Sequence, residues 1–580
     1  MSVSILILTL NEQQDLPGCL ESVKDFDDVV IFDSFSQDRT VEISEAAGAR
    51  VVQRKFDNWS AHQNWAMENI DFKHDWVFYL DADERMTPEL QAEILKIASD
   101  PNEKRAAFYA GRMNYFMDRW CKRAMAPGTI MRFFKPPNIR FERLVNPIPV
   151  IDGEYGYCDA LFTHYGFSKG LRPWLDKHNG YSNMEAKEGH EVRGGSLMHN
   201  VRNIFTRDRA KRWQAIKNAS FFLPTRSAIR FLRGILDGVA GFHYACMISM
   251  YESWIGMKIR ELENNRKVEP EDFINDLATT EPPEYAPKID IIIPTRNESR
   301  HIALAVKSAK TLGNVFVLDS HSTDDTQELA REAGAQVFEN KFVSYAQQKN
   351  WGLENLPLTG DWVYILDADE LITEELRDEV FEATANPGGA TGYYINRKLF
   401  LFGRPIRHGG LYPSWNLRLF QRGKARYEDR SVHEHMICDG PTSYLKNAML
   451  HIRLDTVQRF ITKHVHYANL ESDEWVRHRF GVGGGAKADR LFRDSLRTRQ
   501  WLRRNAWPRM PFRPAFRFLY MYIFRLGILD GGVGLHLAIL TSQYEYMISL
   551  LYREKVRDIK SGKTKPPQAP PAQTSTNSDD

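Results

Sequence analysis

The chain has 580 residues, which is too long for one ordinary hydrophobic core and favours two to four domains. Its apolar fraction (43%) and charged fraction (26%) are those of a soluble globular protein, and a net charge of +2 argues against nucleic acid as a partner. The five cysteines are scattered without a CxxC pair, which argues against a disulfide framework or a zinc site and favours a reducing, cytoplasmic compartment.

The N-terminal residues pass directly into an apolar, strand-like run, and no basic segment precedes it, so we expect no secretory signal. No stretch reaches the roughly 18 apolar residues that are needed to span a bilayer. The two longest apolar stretches, 238–251 and 531–544, lie between acidic residues and are predicted to form buried or interfacial helices.

An internal repeat organises the chain. Residues 4–12 match 290–298, residues 33–40 match 319–326, and residues 75–84 match 361–370, all at the same offset of 286 residues. Later blocks extend each copy to roughly 270 residues, far longer than the repeat of a solenoid. These blocks are Arg132–Phe134 with Arg418–Phe420, Leu236–Gly238 with Leu529–Gly531, and Tyr251–Glu252 with Tyr544–Glu545.

The repeat predicts two tandem domains, 1–268 and 289–560. The segment 269–288 contains four prolines among acidic residues and threonines, which is typical of a linker. The tail 561–580 is rich in Pro, Thr, Ser and Asp and is predicted to be disordered.

In the second copy, Ile289–Ile293, Val315–Leu318 and Trp362–Leu366 are short apolar runs separated by helical segments. This pattern predicts strands of a mostly parallel sheet that is buried on both faces. A helix is expected from near Glu298, with one face formed by Ile302, Ala305, Val306 and Ala309. The fold class is therefore α/β, with two Rossmann-like sheets, each followed by a helical C-terminal extension.

Polar residues follow each of these strands, namely 295–298, Asp319–Ser320 and 367–369. The carboxyl ends of the strands in an open α/β sheet form the ligand-binding edge. Residues i and i+2 of an extended chain point the same way, so Asp367 and Asp369 are expected to face one hard cation that bridges a pyrophosphate.

The blocks PTRNE, DSHSTDDT, QQKNWG and LDADE of the second copy resemble family 2 glycosyltransferases of the GT-A fold. Together with Arg418-Leu-Phe, Val432-His-Glu and Leu529-Asp-Gly, they are similar to bacterial enzymes that glucosylate the lipopolysaccharide inner core. The resemblance implies an inverting transfer from a nucleotide sugar, with UDP-sugars expected, to a glycan or glycolipid acceptor.

The same resemblance implies the site residues. Asp319 would contact the base, Lys349 would lie near the base or pyrophosphate, and Asp367 would touch the ribose. Asp369, and Asp83 in the first copy, would hold Mg²⁺ or Mn²⁺, and His451 is a further candidate ligand for metal or phosphate. The full donor-binding set is Thr295, Glu298, Asp319, Lys349, Asp367 and Arg418, with Thr9, Glu12, Asp33 and Asp81 in the first copy.

An inverting displacement needs a general base for the acceptor hydroxyl, and Glu434 is the candidate. The alternative for Glu434 is a surface carboxylate, or one that orients Arg418 or Arg430. For His451 the alternative is a hydrogen-bonded structural histidine.

The two copies differ at the proposed site. Gln63 stands where the second copy has Lys349, and Asn146-Pro147 stand where it has His433-Glu434. The first copy is therefore either a second transferase with another base or a degenerate binding module, and the missing groups favour reduced or absent activity.

Ten arginines and one acid lie between Arg490 and Arg525, interleaved with aromatic residues, and 202–233 is similar. This composition favours peripheral association with the inner, cytoplasmic membrane surface over nucleic acid binding or a solvated helical face. Two other classes stay open for the whole chain: a sugar-nucleotide-forming nucleotidyltransferase, although the loop after the first strand lacks its glycines, and a binding scaffold without turnover.

Overall fold

The computed structural model describes residues 3–125, 128–142, 147–194, 235–263, 288–401, 404–428, 436–452, 456–482, 510 and 512–568. The chain divides into two compact units. Unit 1 consists of Met1–Leu262, Ile461–Val476 and Leu550–Pro567, and unit 2 of Glu263–Phe460, Arg477–Ser549 and Gln568–Asp580. Each copy of the sequence repeat contributes its sheet to a different unit.

The strands of unit 1 are numbered β1 to β11 in chain order. They are Val3–Thr9, Val29–Asp33, Arg50–Gln53, Trp76–Asp81, Glu84–Arg85, Ala107–Phe116, Arg119–Trp120, Thr129–Phe134, Ile139–Glu142, Ile148–Ile151 and Tyr155–His164. The helices α1 to α6 of the first half of the chain are Leu16–Glu21, Thr40–Ala46, Trp59–Asn69, Pro88–Ser99, Leu171–Gly194 and Gly238–Glu263.

The strands of unit 2 are numbered β12 to β22. They are Ile289–Thr295, Gly313–Asp319, Gln336–Glu339, Trp362–Ile365, Glu370–Leu371, Gly392–Leu401, Arg404–Pro405, Trp415–Gln421, Ala425–Tyr427, Met436–Cys438 and Thr442–Ile452. The helices α7 to α13 of the second half are Ile302–Lys310, Thr326–Glu332, Tyr345–Asn355, Glu374–Ala385, Val457–Phe480, Arg513–Leu519 and Gly531–Lys560.

The two large sheets have the same strand order. In unit 2, β12 pairs in parallel with β13 on one side and with β15 on the other, and β14 forms the outer edge. The sheet continues beyond β15 through β19, β17, β22 and β16 with mixed pairings. The direction of strand succession reverses between β12 and β15, and such a reversal opens a crevice at the carboxyl ends of the strands.

The predicted parallel core is confirmed. Strand β12 is buried along nearly its whole length because helices cover both faces of a parallel sheet. Helix α7 buries Ile302, Ala305, Val306 and Ala309, the face expected from the sequence, but it begins at Ile302 rather than near Glu298. Each such buried aliphatic side chain larger than alanine contributes about 1.5–3 kcal/mol.

The apolar stretches 238–251 and 531–544 form the first parts of α6 and α13, as predicted. Within the described ranges, no single helix has the length and hydropathy to cross a membrane. Two consecutive helical segments, Arg513–Phe524 and Gly527–Lys560, reach the required length and hydropathy only when they are counted together. Their axes are bent by 74° relative to each other.

Candidate active site

Two loops at the carboxyl edge of each sheet are tied together in the same way. In unit 2, the backbone N–H of Asn297 donates to Oγ of Ser322 (2.8 Å), and the N–H of Thr323 donates to Oδ1 of Asn297 (2.8 Å). In unit 1, the N–H of Asn11 donates to Oγ of Ser36 at 2.8 Å. Both asparagines have positive φ angles (54° and 56°), which asparagine tolerates better than most residues. These repeated residues therefore shape the edge of the site.

Asp319 lies at the end of β13 and is fully buried. Its carboxylate accepts hydrogen bonds from the backbone N–H and Oγ of Ser322 (2.7 and 2.5 Å) and from Nε2 of Gln327 (2.9 Å). In unit 1, Asp33 is equally buried and accepts from Ser36 and from Gln53. The structure therefore places this aspartate inside the loop, where it fixes the shape of the edge.

Thr295 ends β12 and is the neighbour of Asp319 across the two strands. Its Oγ1 is buried and has no hydrogen-bond partner among the described residues. In unit 1, Thr9 instead donates from Oγ1 to Oδ1 of Asp33 at 2.9 Å. A buried hydroxyl without a partner costs free energy, so Thr295 is able to take a polar ligand group.

A buried arginine holds two carboxylates after β15. Nη2 of Arg418, on β19, donates to Oδ2 of Asp367 (2.5 Å) and to Oε1 of Glu370 (2.7 Å). Arg132 makes the same contacts with Asp81 and Glu84 in unit 1 (2.6 and 2.7 Å). The arginine therefore fixes the orientation of the first aspartate in each unit.

Lys349 contacts the other oxygen of the same aspartate. Helix α9 begins after the N-cap Ser344 and carries Lys349, whose Nζ lies 3.4 Å from Oδ1 of Asp367. Burial alone would raise the pKa of Asp367, but the charges of Arg418 and Lys349 hold this pKa well below its usual value. Asp367 is therefore ionised, and its side chain keeps 33% exposure towards solvent.

Unit 1 replaces this ammonium with a phenol. Gln63 occupies the position of Lys349, and the hydroxyl of Tyr79 donates to Oδ1 of Asp81 at 2.6 Å. The corresponding residue in unit 2 is Ile365. Unit 1 thus keeps a donor to the aspartate but loses one positive charge.

The second aspartate of unit 2 contacts a histidine. Nε2 of His451 lies 2.9 Å from Oδ2 of Asp369, because β22 pairs His451 with Glu370 on β16. The side chain of Asp369 is 31% exposed, so solvent reaches this carboxylate. Nδ1 of His451 is buried and has no partner among the described residues. The pair therefore places one carboxylate and one imidazole side by side at the edge of the site.

The corresponding pair in unit 1 is also present. Nε2 of His164 lies 3.4 Å from Oδ2 of Asp83, and Nδ1 of His164 lies 2.9 Å from Oδ1 of Asn114. An amide oxygen at Nδ1 places the proton on that nitrogen and leaves the lone pair of Nε2 available. In unit 2, strand register puts Leu399 opposite His451, where unit 1 has Asn114 opposite His164.

The expected extended arrangement of Asp367 and Asp369 is wrong. Strand β15 ends at Ile365, and a turn follows it. Asp367 is directed to Arg418 and Asp369 to His451, so the two carboxylates have different partners. The turn forms because the Glu370 carboxylate accepts the backbone N–H of Asp367 at 3.0 Å, which bends the chain back.

Glu298 lines a cavity of about 300 Å³ beside the loop that follows β12. Its Oε2 lies 2.8 Å from Nδ1 of His301. In unit 1, Glu12 instead accepts from Nζ of Lys169 at 2.6 Å, and burial raises the pKa of Glu12 to about 7 despite that contact. The cavity is lined by Asn297, Glu298, Ser299, Arg300, His301, Thr323, Asp324 and Arg459.

Glu434, the expected general base, lies outside the described residues, as do His433 and Asn146. The structure brings together Asp367, Lys349 and Arg418, and separately Asp369 and His451. Thr295, Glu298 and Asp319 lie on the neighbouring loops of the same edge.

Sequence reasoning missed Glu370, Tyr79 and His164. Glu370 is the last residue of the block LDADE, which repeats in full, and that repetition was a usable signal. Tyr79 was visible as a residue with a polar group in the apolar run that precedes Asp81. His164 was hidden because the spacing to its counterpart is 287 residues rather than 286.

The family model described as "Glycosyl transferase family 2" matches residues 4–152 and 290–449. An uncharacterised glycosyltransferase of Rickettsia conorii is 30% identical over 204 residues, which cover 33% of this chain and 71% of that protein. The lipopolysaccharide core biosynthesis glycosyltransferase LpsC of Rhizobium meliloti is 28% identical over 187 residues, covering 31% of this chain and 68% of LpsC.

Among solved structures, glucosyl-3-phosphoglycerate synthase from Mycobacterium tuberculosis is similar at 20% identity with a TM-score of 0.17. The match covers 20% of this chain and 44% of that chain, so it spans less than half of the solved protein. The two family-model matches cover more than half of this chain and coincide with its two sheets. The chain is therefore a tandem member of glycosyl transferase family 2 with the GT-A fold.

Proposed function

We propose that unit 2 binds a nucleotide sugar at the carboxyl edge of its sheet and transfers the sugar, with inversion, to a glycan or glycolipid. One observation carries this proposal. Asp367 is held ionised by Arg418 and Lys349, while Asp369 contacts His451, and all of them lie at the edge where the strand order reverses. A nucleotide sugar carries a negatively charged diphosphate and a nucleoside with hydroxyl groups. The cation of Lys349 would attract the diphosphate, and the oriented carboxylate of Asp367 would accept a hydroxyl hydrogen bond.

In this proposal Thr295 and Glu298 line the nucleoside pocket. Asp319 contributes to the base pocket and shapes its loop through Ser322. Lys349 neutralises charge on the pyrophosphate. The exposed part of the Asp367 carboxylate accepts a hydrogen bond from a ribose hydroxyl. Arg418 belongs to the donor site as the residue that positions Asp367.

A divalent cation would be held by Asp369, with His451 beside it. Mn²⁺ accepts both carboxylate oxygen and imidazole nitrogen, whereas Mg²⁺ would take the carboxylate oxygen of Asp369. Among the described residues no group of three or more His, Cys, Asp or Glu side chains could hold a metal, so the donor phosphates and water would complete the coordination. The bound cation would neutralise charge on the departing diphosphate. Asp83 with His164 is the corresponding candidate in unit 1.

The transfer is a single displacement at the anomeric carbon. Glu434 accepts the proton of the acceptor hydroxyl as its oxygen forms the new glycosidic bond. The bond to the diphosphate breaks, the nucleoside diphosphate leaves with the electron pair, and the sugar is inverted. Lys349 faces the side on which that negative charge develops, which stabilises the transition state.

The acceptor is proposed to be a lipopolysaccharide-type glycan at the cytoplasmic face of the inner membrane. The similarity to a lipopolysaccharide core glycosyltransferase supports this acceptor class. The donor sugar is proposed to be carried on UDP.

A second candidate is an enzyme with two transferase activities. In unit 1, Asp81 still contacts Arg132, and Asp83 still lies beside His164, which Asn114 orients. These two retained aspartates favour donor binding in unit 1. The absence of counterparts to Lys349 and Glu434 favours weaker or no turnover there.

The full chain tests the proposal through release of nucleoside diphosphate from UDP-glucose, UDP-galactose, UDP-N-acetylglucosamine and GDP-mannose with Mn²⁺ or Mg²⁺. At least one donor should turn over. Glu434→Gln should lower kcat at least 100-fold, since general base catalysis contributes roughly 10²–10⁴-fold, while donor affinity stays unchanged. Glu428→Gln is the matched control. Turnover of no donor would contradict the proposal.

A further inference from the structure

We infer that residues 512–529 of unit 2 form a membrane wedge that enters the interfacial layer of an anionic lipid bilayer. The wedge contains α12, a π-helical turn Tyr520–Phe524 and a 3-10 turn Gly527–Asp530, whose last residue lies just beyond the wedge. This inference deepens the proposed function, because it names the surface by which the enzyme would meet a membrane-bound acceptor.

The wedge exposes large apolar side chains. Phe512 is 74% exposed, Phe524 is 76% exposed and Leu529 is 65% exposed. Phe516, Ile523 and Leu526 are each about half exposed. Single exposed apolar residues are common on soluble proteins, but this many within one short segment are characteristic of an interaction surface.

The opposite face of the wedge is firmly packed. Arg513 donates from Nη2 to the carbonyl of Glu545 (2.9 Å) and to Oγ of Ser549 (2.8 Å) on α13. Met521 is buried in a cluster with Leu401 and Ile406. The apolar residues are therefore exposed by a fixed backbone.

Two close backbone contacts strengthen this anchoring. A Cβ on Gly534 would lie 2.0 Å from the carbonyl oxygen of Gly527, so α13 approaches the wedge more closely than any side chain would permit. The carboxylate of Asp530 accepts the backbone N–H of His408 at 2.8 Å and contacts its Nδ1 at 2.8 Å. The wedge cannot turn its apolar residues inward without breaking these contacts.

The charge of the wedge identifies the occupant. Between 512 and 529 the sequence has three arginines and no acid. Arg513 is committed to α13, whereas Arg525 is exposed beside Phe524 and Leu526. Basic and aromatic residues in one exposed segment suit the headgroup region of an anionic bilayer, where aromatic rings are favoured and arginines are attracted to the anionic lipids. Two positively charged copies of this face would repel each other.

Unit 1 has the same anchor at its corresponding position. The carboxylate of Asp237 accepts the backbone N–H groups of Arg123 (2.7 Å) and Ala124 (2.6 Å), as Asp530 accepts that of His408. The preceding Leu236 is 63% exposed, as Leu529 is in unit 2. The anchored Leu-Asp-Gly turn with an exposed leucine thus occurs in both units.

The test is flotation of the full chain with vesicles of phosphatidylglycerol and phosphatidylethanolamine, compared with vesicles of phosphatidylcholine alone. The wild type should float with the anionic vesicles, and the triple variant Phe516→Ser, Phe524→Ser, Leu529→Ser should bind at least tenfold more weakly. A matched variant, Ile148→Ser, Tyr155→Ser, Val343→Ser, changes three exposed apolar residues elsewhere and should bind like the wild type.

Donor hydrolysis in detergent-free solution separates this inference from the proposed function, since the triple variant should retain it. Equal vesicle binding by the wild type and the triple variant would overturn the inference, as would a wild type that binds no anionic vesicle. A wild type that forms dimers without lipid, while the triple variant is monomeric, would assign the wedge to a second copy and also overturn it.

Discussion

The hydroxyl of Tyr79 donates a 2.6 Å hydrogen bond to Oδ1 of Asp81 in unit 1. In unit 2, the corresponding oxygen, Oδ1 of Asp367, faces the ammonium of Lys349 instead. The two units thus hold one repeated aspartate with different chemistry. A phenol supplies a hydrogen bond without charge, whereas an ammonium supplies both. The exchange gives unit 1 a less positive donor site on an otherwise repeated frame.

We predict that Lys349→Gln weakens binding of UDP to the full chain by roughly 10- to 100-fold, because a hydrogen bond to a charged group contributes roughly 1.5–3 kcal/mol. Gln63→Lys together with Tyr79→Ile should strengthen binding at unit 1, since it restores the residues of unit 2. Isothermal titration with UDP and Mn²⁺ measures both. Unchanged affinity in Lys349→Gln would remove Lys349 from the donor site.

We predict that Arg418→Met destabilises unit 2 by about 3–5 kcal/mol, because it removes the nearest cation from the fully buried Glu370 and leaves Asp367 with the more distant Lys349. Adding Glu370→Gln should recover part of that loss. Thermal unfolding of the full chain followed by calorimetry reports the change, with Arg377→Met on α10 as the control. A single variant as stable as the wild type would show that the cluster does not hold the fold.

We predict that His451→Ala weakens Mn²⁺ binding more than Asn114→Ala does. His451 would be a direct ligand of the metal in unit 2, whereas Asn114 acts through His164 and its loss should cost about 10- to 100-fold at unit 1. Electron paramagnetic resonance of Mn²⁺ with UDP counts the bound metal. Full occupancy of both sites in His451→Ala would exclude the histidine as a ligand.

The buried Lys258 predicts a pH dependence of stability. Its Nζ donates to Oδ1 of Asn179 and Oγ of Ser182, and burial lowers its pKa to about 7. The usual pKa of a lysine in an unfolded chain is about 10.4. At a pH between about 7 and that value, the unfolded chain therefore carries a proton on Lys258 that the folded chain lacks. Stability should therefore rise with pH across that range, by at most about 1.4 kcal/mol per pH unit.

A repeated position supplies the control for Lys258. Lys555 makes the same contacts with Asn469 and Ser472, and also with the carboxylate of Asp473 at 2.7 Å. Asn183 follows Ser182 as Asp473 follows Ser472. Asn183→Asp would place a carboxylate beside Lys258, as Asp473 lies beside Lys555, and would keep the lysine protonated. The variant should therefore unfold at a higher temperature than the wild type at pH 7.5, and its unfolding temperature should increase less between pH 7.5 and pH 9. An equal increase in the variant and the wild type would show that a neutral Lys258 does not cause the pH dependence.

The sequence alone predicted the strands β12, β13 and β15 because continuous apolar runs are typical of parallel strands buried on both faces. It did not reveal β14, since Gln336–Glu339 is a short edge strand with half-exposed residues. The repeat located Asp367 and Asp369 correctly but not their geometry, because the turn after β15 depends on the side chain of Glu370.

Long-range contacts explain the rest of what the sequence did not predict. Arg418 was visible as a repeated residue, yet its burial against two carboxylates depends on β19 pairing with β15. His451 meets Asp369 only because β22 pairs with β16. The exposed face of the wedge depends on which side of α12 packs against α13, and local sequence does not specify that side.

The most direct test compares donor hydrolysis by the full chain carrying Asp369→Asn with that of the matched variant Asp83→Asn. Loss of this carboxylate in unit 2 should lower turnover of the accepted nucleotide sugar by about 100-fold or more, because it removes several kcal/mol of transition-state charge stabilisation. Asp83→Asn should retain most of the activity. Retained turnover in Asp369→Asn, with loss in Asp83→Asn, would contradict the assignment of the working site to unit 2.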